Sequence, residues 1–330
     1  MTAPNYHAGH ASGVMRGPRK GAAGHGHLDV FLTATGVKVL DMMRGAAPGT
    51  RRLLLGQPGA GVADYAVAVA DRRSSEAAIE AEARTLEELQ TRAAPTFADT
   101  LPRFVAPLSV GDRPAVVMRA VPGMELESRR TFGPPSRTDL DAVSSWLDAL
   151  WLSTGGRSEP AELGGRAADL LLARYCGSRH LAATLGALHR ARGRLGTVEV
   201  RRTAVHGCLC PHHVYVRDGV VTGVDDWGLG APVGEPLRDL GSFAVRHARG
   251  RLPDIVADRS RHAHLLRDFV RAGLDALGIP VDRWRDVLVL AQAEYAVDAI
   301  ERGQVDEIRL LAAAVNALPS EPGESEAARL

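Results

Sequence analysis

The segment from 206 to 240 constrains the fold of this chain more than any other part of the sequence. It carries the string HGCLCPHHVYV at 206–216, a turn glycine at Gly219, TGVDDW at 222–227 and GEPLRDL at 234–240. The residues on either side of Gly219 predict two short strands joined by a turn. A loop rich in histidine and cysteine precedes this hairpin, and a pair of carboxylates follows it. We therefore expect the functional side chains in this block.

The sequence before residue 118 predicts strands and one helix. Strands are expected at 51–55, 65–69, 102–105 and 115–118, and the apolar runs at 30–32 and 37–40 predict short strands or a helix start. A helix is predicted over 74–90, where Ile79 and Leu86 share one apolar face. This part of the chain is therefore expected to form a small, β-rich lobe.

The sequence after Pro122 and Gly123 is mainly helical in pattern. Helices are predicted at 138–152, 167–175, 179–193, 239–248, 259–277, 281–302 and 305–318, around the strand and loop block at 204–224. The prediction is an α+β protein with two lobes. Its parts are an N-lobe at 27–118, a hinge at 119–123 and a helical C-lobe at 124–318 that contains a catalytic-type loop at 204–228.

Composition limits the setting of the protein. The formal charge of +1 gives no reason to expect a nucleic-acid or membrane partner. Three cysteines in 330 residues do not form a disulfide framework, which favours a reducing compartment. With no signal-peptide pattern and no membrane-length apolar run, we expect a soluble, cytoplasmic protein. Residues 1–26 are expected to form a flexible arm and 319–330 a disordered tail.

The block at 206–240 resembles the catalytic core of the aminoglycoside phosphotransferase family, which includes choline- and homoserine-kinase-like relatives. That family shows His-Gly-Asp-Leu-x-x-x-Asn-Val, a hairpin, Val-Ile-Asp-Trp, Gly-Asp-Pro and a downstream Asp-Leu. The string VVMRAVPG at 116–123 is similar to the family's hinge, and EARTLEEL at 82–89 is similar to its small-lobe helix. The resemblance covers about residues 50–245 and implies a bilobal, protein-kinase-like fold.

The resemblance also assigns residues to an ATP and Mg²⁺ site. The implied positions are Ala68 for the phosphate-binding lysine, Glu82 for its glutamate, Met118 and Val121 for the nucleotide at the hinge, Cys208 for the catalytic Asp, His213 for the metal-binding Asn, and Asp226 for the main metal-binding Asp. His206 or Asp225 would lie near the acceptor, and Asp239 is expected to be structural.

Three of these positions depart from the family pattern. Ala68 cannot neutralise phosphate, and the chain has only two lysines, Lys20 and Lys38. The thiol of Cys208 is mostly neutral at pH 7 and cannot act as a carboxylate does, and loss of general-base assistance is typically worth ~10²–10⁴ in rate. His213 is a poor ligand for Mg²⁺, which prefers oxygen. Arg51, Arg52 and Arg72 are open candidates for a replacement cation.

Two other interpretations of these segments stay open. The histidines and cysteines at 206–213 have the ligand chemistry of a Zn²⁺ site, although alternate residues of an extended segment point to opposite faces. The simpler interpretation is that His206 is a hydrogen-bonded loop residue and that the cysteines pack. Gly56–Gly61 has the spacing of a phosphate-binding loop, but Val62 and Ala63 replace the Lys and Ser/Thr that such a loop requires. That turn is either a hairpin over the nucleotide or a plain β-turn.

Three functional hypotheses follow. The first is a pseudokinase that acts as a regulatory, scaffold or substrate-presenting subunit with a protein partner. The second is an atypical ATP-dependent phosphotransferase acting on a hydroxyl of a small metabolite, or on Ser/Thr of a precursor peptide as in bacterial natural-product pathways. The third is a metal- or redox-responsive module built on the Cys/His loop.

Overall fold

The computed structural model describes residues 26–45, 47–59, 62–92, 95–130, 136–301 and 306–319. The expected arm at 1–26 and tail at 319–330 lie almost wholly outside these residues, so both stay predictions.

A six-stranded sheet and one long helix make up the first part of the chain. The elements are β1 (Gly26–His27), α1 (Leu28–Thr35), β2 (Lys38–Arg44), β3 (Thr50–Gly56), β4 (Tyr65–Ala70), α2 (Glu76–Arg92), α3 (Pro95–Ala98), β5 (Phe104–Val110) and β6 (Arg113–Arg119). The strand order is β1-β5-β6-β4-β3-β2, and every pair except β1–β5 is antiparallel. A 3₁₀ turn at Arg73–Ser75 leads into α2.

Helix α2 packs its apolar stripe against the sheet. Ile79, Leu86 and Leu89 are buried at helical spacing, and Glu82 is buried among them. This stripe brings the Glu82 carboxylate to the inner side of the sheet. The predicted helix at 74–90 is confirmed, with its start two residues later and its end two residues further on.

The rest of the chain is mainly helical. Its elements are β7 (Met124–Glu125), α4 (Leu126–Arg130), α5 (Arg137–Thr154), β8 (Ser158–Pro160), α6 (Gly165–Tyr175), α7 (Ala182–Leu195), β9 (Glu199–Arg201), β10 (Thr203–Val205), β11 (Val214–Arg217), β12 (Val220–Val224), β13 (Ala231–Gly234), α8 (Pro236–Ala248), α9 (Leu252–Val256), α10 (Arg261–Ala276), α11 (Trp284–Glu301) and α12 (Asp306–Asn316). The helices α5, α8, α10 and α11 enclose a continuous apolar core. The predicted α+β architecture with two lobes is confirmed.

The hairpin β11–β12 holds the predicted loop block in place. Its register places Val214 opposite Val224 and Arg217 opposite Val220 around the turn at Gly219. Strand β7 pairs with β11 through Glu125 and Tyr215, which ties the segment after the hinge to the hairpin. The loops before and after this hairpin are therefore fixed at one end of the helical lobe.

The apolar run at 30–32 forms part of helix α1 rather than a strand. The run was ambiguous because three apolar residues fit either element, and α1 has no side-chain N-cap that would have marked its start.

None of the described helices has both the length and the hydropathy that a membrane span requires.

Candidate active site

Arg52 lies at the centre of the site. Its side chain is buried in β3, and its Nη2 donates to Glu82 Oε1 at 2.7 Å and to Asp226 Oδ1 at 2.9 Å. One guanidinium thus joins the sheet, helix α2 and the loop after β12. A cation between two buried carboxylates also makes their burial tolerable.

The sequence positions Arg52 through strand alternation. Arg51 is exposed and bonds Asp71, whereas Arg52 faces inward, because successive strand residues point to opposite sides. Arg52 stands directly opposite Ala68 in the β3–β4 register. Since alanine has no side chain beyond Cβ, the implied lysine position leaves room for the neighbouring guanidinium. Arg72, the third candidate cation, is exposed.

Arg52, Glu82 and Asp226 form a triad, the Arg52 triad, whose charges influence one another's pKa values. Burial opposes the charge of Arg52, but Glu82 and Asp226 outweigh it and raise the arginine's pKa well above its usual value. Burial raises the pKa of Glu82 despite Arg52. Burial would also raise the pKa of Asp226, but the charge of Arg52 outweighs it and holds that pKa below its usual value. Asp226 is therefore the ionised partner of Arg52.

His213 lies beside Asp226 as a neutral ring. Burial lowers the pKa of His213 to about 3. Its Nδ1 lies 3.1 Å from the Cys208 carbonyl oxygen, to which a neutral ring donates, and its Nε2 lies 3.7 Å from Asp226 Oδ2. The Nε2 lone pair of His213 and the Oδ2 oxygen of Asp226 therefore lie close to each other.

This donor set does not fit Mg²⁺. Mg²⁺ requires near-octahedral oxygen coordination, whereas the described residues beside Arg52 offer the His213 imidazole and the Asp226 carboxylate, which Arg52 already binds. Nor do the described residues bring three or more His, Cys, Asp or Glu side chains together as a metal site, for Mg²⁺ or for the Zn²⁺ considered from the sequence.

His206 is fully buried and bonded on both ring nitrogens. Its Nε2 lies 2.7 Å from the Asp225 carbonyl oxygen, and its Nδ1 accepts from the Cys208 backbone N–H at 3.4 Å. Burial lowers the pKa of His206 to about 4. The ring lies 5.1 Å from that of His213. This geometry presents no exposed nitrogen of His206 to a substrate.

Cys208 carries a protonated thiol next to a cation. Arg246 Nη2 donates to Cys208 Sγ at 3.2 Å. Burial raises the pKa of Cys208, although Arg246 opposes the rise. A neutral thiol donates a proton poorly and accepts one poorly near pH 7, so Cys208 supplies no general base.

Two aspartates anchor the loops. Asp239 accepts backbone N–H bonds from His206 at 2.6 Å and Gly207 at 2.8 Å, which gives it the structural role expected for it. Tyr215 donates to Asp225 Oδ2 at 3.3 Å. Burial raises the pKa of Asp225 to about 7, despite the opposing charge of Arg52. Asp225 is thus partly protonated near neutral pH.

The β2–β3 turn closes over the triad. Ala47 is buried, and a Cβ on Gly228 would lie 3.2 Å from the Ala47 Cβ. Ser75 donates to the Pro48 carbonyl at 2.9 Å, which ties the turn to the start of α2. This turn, between β2 and β3, therefore contacts the loop that carries Asp226.

Of the predicted turn at 56–61, residues 56–59 lie at the opposite end of β3 from Arg52, and residues 60 and 61 lie outside the described residues. Asp64 N–H donates to the Leu55 carbonyl at 2.7 Å, and Ala120 N–H donates to the Asp64 carbonyl at 3.1 Å. The described residues on either side of this turn are therefore linked to Ala120 and do not lie over Arg52. Met118 is fully buried in the core, and Val121 packs against Gly223, where an added Cβ would lie 2.3 Å from the Val121 Cβ. Their assignment to a nucleotide stays a prediction.

Several residues of the site carried no sequence signal. Arg246 lies in the last turn of α8, and its guanidinium carbon sits 4.4 Å from the ring centroid of Tyr295. Both are ordinary surface-type residues in helical patterns, so neither stood out. The sequence did offer Arg52 as a replacement cation, but only as one of three candidate arginines.

Comparisons with known proteins extend these observations. No family model matches the chain, and a search of curated proteins finds no match. Solved structures do match. The apo form of a thermostable mutant of aminoglycoside phosphotransferase APH(4)-Ia is 16% identical with a TM-score of 0.57, covering 88% of this chain and 97% of that one. Macrolide 2'-phosphotransferase MphH from Brachybacterium faecium is 19% identical with a TM-score of 0.54, covering 89% and 98%.

A third match is the GDP complex of wild-type aminoglycoside 2'-phosphotransferase-IIIa, 17% identical with a TM-score of 0.55 over 87% of this chain and 97% of that one. These matches span nearly the whole of each enzyme, with both lobes included. The sequence-based recognition and the expected kinase-like architecture are thereby confirmed at the level of the fold. The chain has the bilobal fold of the aminoglycoside and macrolide phosphotransferases.

Proposed function

We propose that this protein is a pseudokinase, a phosphotransferase fold that acts by binding rather than by transferring phosphate. The observation that carries the proposal is the pairing of Arg52 with Asp226. Asp226 stands at the position of the main metal-binding Asp, and a guanidinium 2.9 Å from its Oδ1 occupies the place of a cation. The chain's own side chain thus neutralises the carboxylate on which phosphoryl transfer depends.

Two further features support the proposal. Cys208 is neutral where a carboxylate would orient an acceptor hydroxyl, and His213 offers nitrogen where an oxygen ligand would serve Mg²⁺. Each change alone weakens catalysis. Together they leave the segment 206–213, all of which the structure describes, without a carboxylate and without an oxygen ligand set for Mg²⁺.

The edge of the small sheet supports a protein partner. Strand β2 is an edge strand, and its Val39, Leu40, Met42 and Met43 side chains are 38–53% exposed. An exposed apolar edge strand is suited to pairing with a strand of another protein. A regulatory or scaffold subunit needs such a surface.

ATP turnover tests the proposal. The wild-type protein and Asp226→Asn are incubated with ATP and Mg²⁺, and released phosphate is measured. We expect the two rates to be equal and at background. A wild-type rate well above background that disappears in Asp226→Asn would overturn the proposal.

One observation favours a second candidate, an atypical phosphotransferase. Arg52 Nε and Nη1 are buried without a hydrogen-bond partner in the structure. Buried donors of a cation are costly when unpaired, and phosphate oxygens would satisfy them. The ternary complex of a thermostable APH(4)-Ia mutant with ADP and hygromycin B shows this fold with a nucleotide and a small molecule. On this candidate, Arg52 replaces the lysine, and the acceptor is a hydroxyl of a small metabolite or of a peptide Ser/Thr.

ATP binding measured without Mg²⁺ distinguishes the pseudokinase from the atypical phosphotransferase. The atypical enzyme requires ATP binding that falls at least ~10-fold in Arg52→Met, the scale of one lost charge-assisted bond. Arg51→Met is the matched control, because that neighbouring arginine is exposed and faces away. ATP binding that is absent in the wild type, or equal in both variants, removes the second candidate.

A further inference from the structure

The hairpin of helices α6 and α7, residues 165–195, carries a concentration of positive charge. It contains six arginines and one aspartate, whereas the whole chain has a formal charge of +1. The aspartate, Asp169, is bonded by Arg192 at 2.6 Å, and this ion pair joins the two helices. The rest of the chain is therefore net acidic, and this hairpin is a region suited to an anionic partner.

One face of α6 repeats the positive charge at a regular spacing. Arg166, Leu170 and Arg174 are four residues apart, so they follow one another along one side of the helix. All three are exposed, and Leu170 retains 41% of its accessible surface. At a rise of about 1.5 Å per residue, successive members are about 6 Å apart along the helix axis. We call these three residues the α6 stripe.

Both arginines of the α6 stripe are available to an external ligand. Among the residues that the structure describes, no Asp or Glu side chain lies within ion-pair distance of Arg166 or Arg174. Arg174 lies instead over the ring of Tyr175, with its guanidinium carbon 5.8 Å from the ring centroid. A complementary ligand would offer two carboxylates on either side of an apolar group.

An extended peptide matches this spacing. Alternate side chains of a β-strand point to the same face, about 6.6 Å apart. A segment Glu-x-Leu-x-Glu therefore presents carboxylate, apolar group and carboxylate in the order of the α6 stripe and at nearly the same separation. The two carboxylates bind Arg166 and Arg174, and the central leucine covers Leu170 and removes its apolar surface from water.

We propose that the α6 stripe binds an extended acidic segment of a partner protein, in which two carboxylates flank an apolar residue at alternate positions. This inference rests on the proposed function, because a pseudokinase acts through a protein partner. It names the chemistry of that partner and gives it a surface on the helical lobe that shares no residue with the Arg52 triad.

Two features favour a peptide over a nucleic acid. A phosphate backbone carries charge at every unit and supplies no apolar group to cover Leu170. Tyr175 is the only aromatic residue in the sequence 165–195, and it is half-buried. The hairpin, which the structure describes throughout, therefore offers no fully exposed ring on which bases could stack.

Peptide titrations test the proposal on the full-length protein. The probe is Ser-Glu-Thr-Leu-Thr-Glu-Ser with blocked ends and a rhodamine label. Its binding is measured by fluorescence anisotropy without ATP at ~50 mM salt, where exposed ion pairs are only partly screened. The control peptide, Ser-Glu-Glu-Thr-Thr-Leu-Ser, has the same composition but places its two carboxylates on opposite faces. We expect the alternating peptide to bind at least ~3-fold more tightly, the scale of one exposed ion pair.

Variants assign the binding to the α6 stripe. Arg166→Gln combined with Arg174→Gln should weaken the alternating peptide about 10-fold and remove the preference over the control peptide. Arg261→Gln combined with Arg271→Gln removes the same charge from exposed positions of α10 and should leave the affinity unchanged. Leu170→Ser should weaken the alternating peptide more than the control peptide. Circular dichroism verifies that each variant is folded.

Several results would overturn the proposal. These are no binding of either peptide at millimolar concentration, equal affinity for both peptides, or equal losses in the α6 and α10 double variants. Tighter binding of oligothymidylate, or of vesicles containing phosphatidylserine, would assign the hairpin to a nucleic acid or a membrane instead. None of these measurements involves ATP. ATP turnover would therefore overturn the pseudokinase proposal without changing the peptide result.

Discussion

At the scale of single residues, Arg52 supplies the buried cation that Ala68, opposite it on the next strand, does not. A lysine ammonium is a compact point charge, whereas the guanidinium fork presents several donors in one plane. Here a single nitrogen, Nη2, contacts both Glu82 and Asp226. The resemblance implies a lysine at position 68 that would bind phosphate. This chain has Ala68 there, and its buried cation is Arg52, which binds the chain's own carboxylates.

The first prediction concerns the stability that Arg52 supplies. Arg52→Met leaves two buried carboxylates without their cation, and breaking a buried ion pair on one side typically costs ~3–5 kcal/mol. Urea denaturation should show a loss of this size in the free energy of unfolding. Arg51→Met is the control and should cost less than about 0.5 kcal/mol, because its partner Asp71 is a surface residue. Equal, small losses in both variants would show that the triad does not form.

The second prediction concerns pH. Burial raises the pKa of Asp225 to about 7, whereas an aspartate in the unfolded chain titrates near ~3.9. Between these values the folded protein binds more protons than the unfolded chain. The contribution of Asp225 to stability is therefore present at low pH and is lost as the pH rises toward 7.

Asp225→Asn removes that loss while keeping an acceptor for Tyr215. The free energy of unfolding of Asp225→Asn, relative to wild type, should rise between pH ~4 and ~7 and then level off. Denaturant titrations at several pH values measure this difference. The buried histidines titrate in both proteins, so they cancel. A difference that does not change with pH would contradict the assignment.

At the scale of elements, the turn between β2 and β3 sets how closely the sheet approaches the loop that carries Asp226. Gly49 has φ +75°, and a Cβ there would lie 2.4 Å from Ser75 Oγ and 2.6 Å from Arg72 Nε. The turn therefore needs glycine both for its backbone conformation and for its close approach to the start of α2. That approach holds Ala47 against Gly228.

A matched pair of glycines separates the two requirements. Gly36 has φ +69° with no atom within 4 Å of an added Cβ, so Gly36→Ala carries only the backbone cost of about 1 kcal/mol. Gly49→Ala should cost a further ~1–3 kcal/mol from the contact with Ser75 and Arg72. Thermal unfolding compares the two variants. Equal losses would mean that the turn is not packed on α2.

Most elements could be predicted from the sequence, because their apolar periodicity is strong. The helix at α2 and the strands β3, β4 and β6 follow their patterns to within a few residues. The segment at 30–32 could not be assigned, since it is too short to show a period and has no cap. The small elements β8, β9 and β13 have no pattern of their own and depend on tertiary pairing.

The candidate site could be predicted only where a motif carries it. The motif order brought Glu82, Cys208, His213 and Asp226 to one region. The choice of Arg52 over Arg51 could not be made, because strand parity relative to the core is not visible in two adjacent arginines.

At the scale of the whole molecule, the Arg52 triad joins the two lobes. The guanidinium is in the sheet, whereas Asp226 follows the hairpin of the helical lobe. The Trp227 N–H donates to Glu82 at 3.1 Å and adds a second link between α2 and the same loop. The protein's own residues thus supply the contacts across the cleft, which is the central claim of the pseudokinase proposal.

Calorimetric titration with ATP, in the presence and absence of Mg²⁺, tests that claim most directly. The account predicts that Mg²⁺ produces no binding and does not strengthen any binding seen without it, because Arg52 holds Asp226. Tight, Mg²⁺-dependent binding that is lost in Asp226→Ala would contradict it, since Asp226 would then be a metal ligand rather than the partner of Arg52.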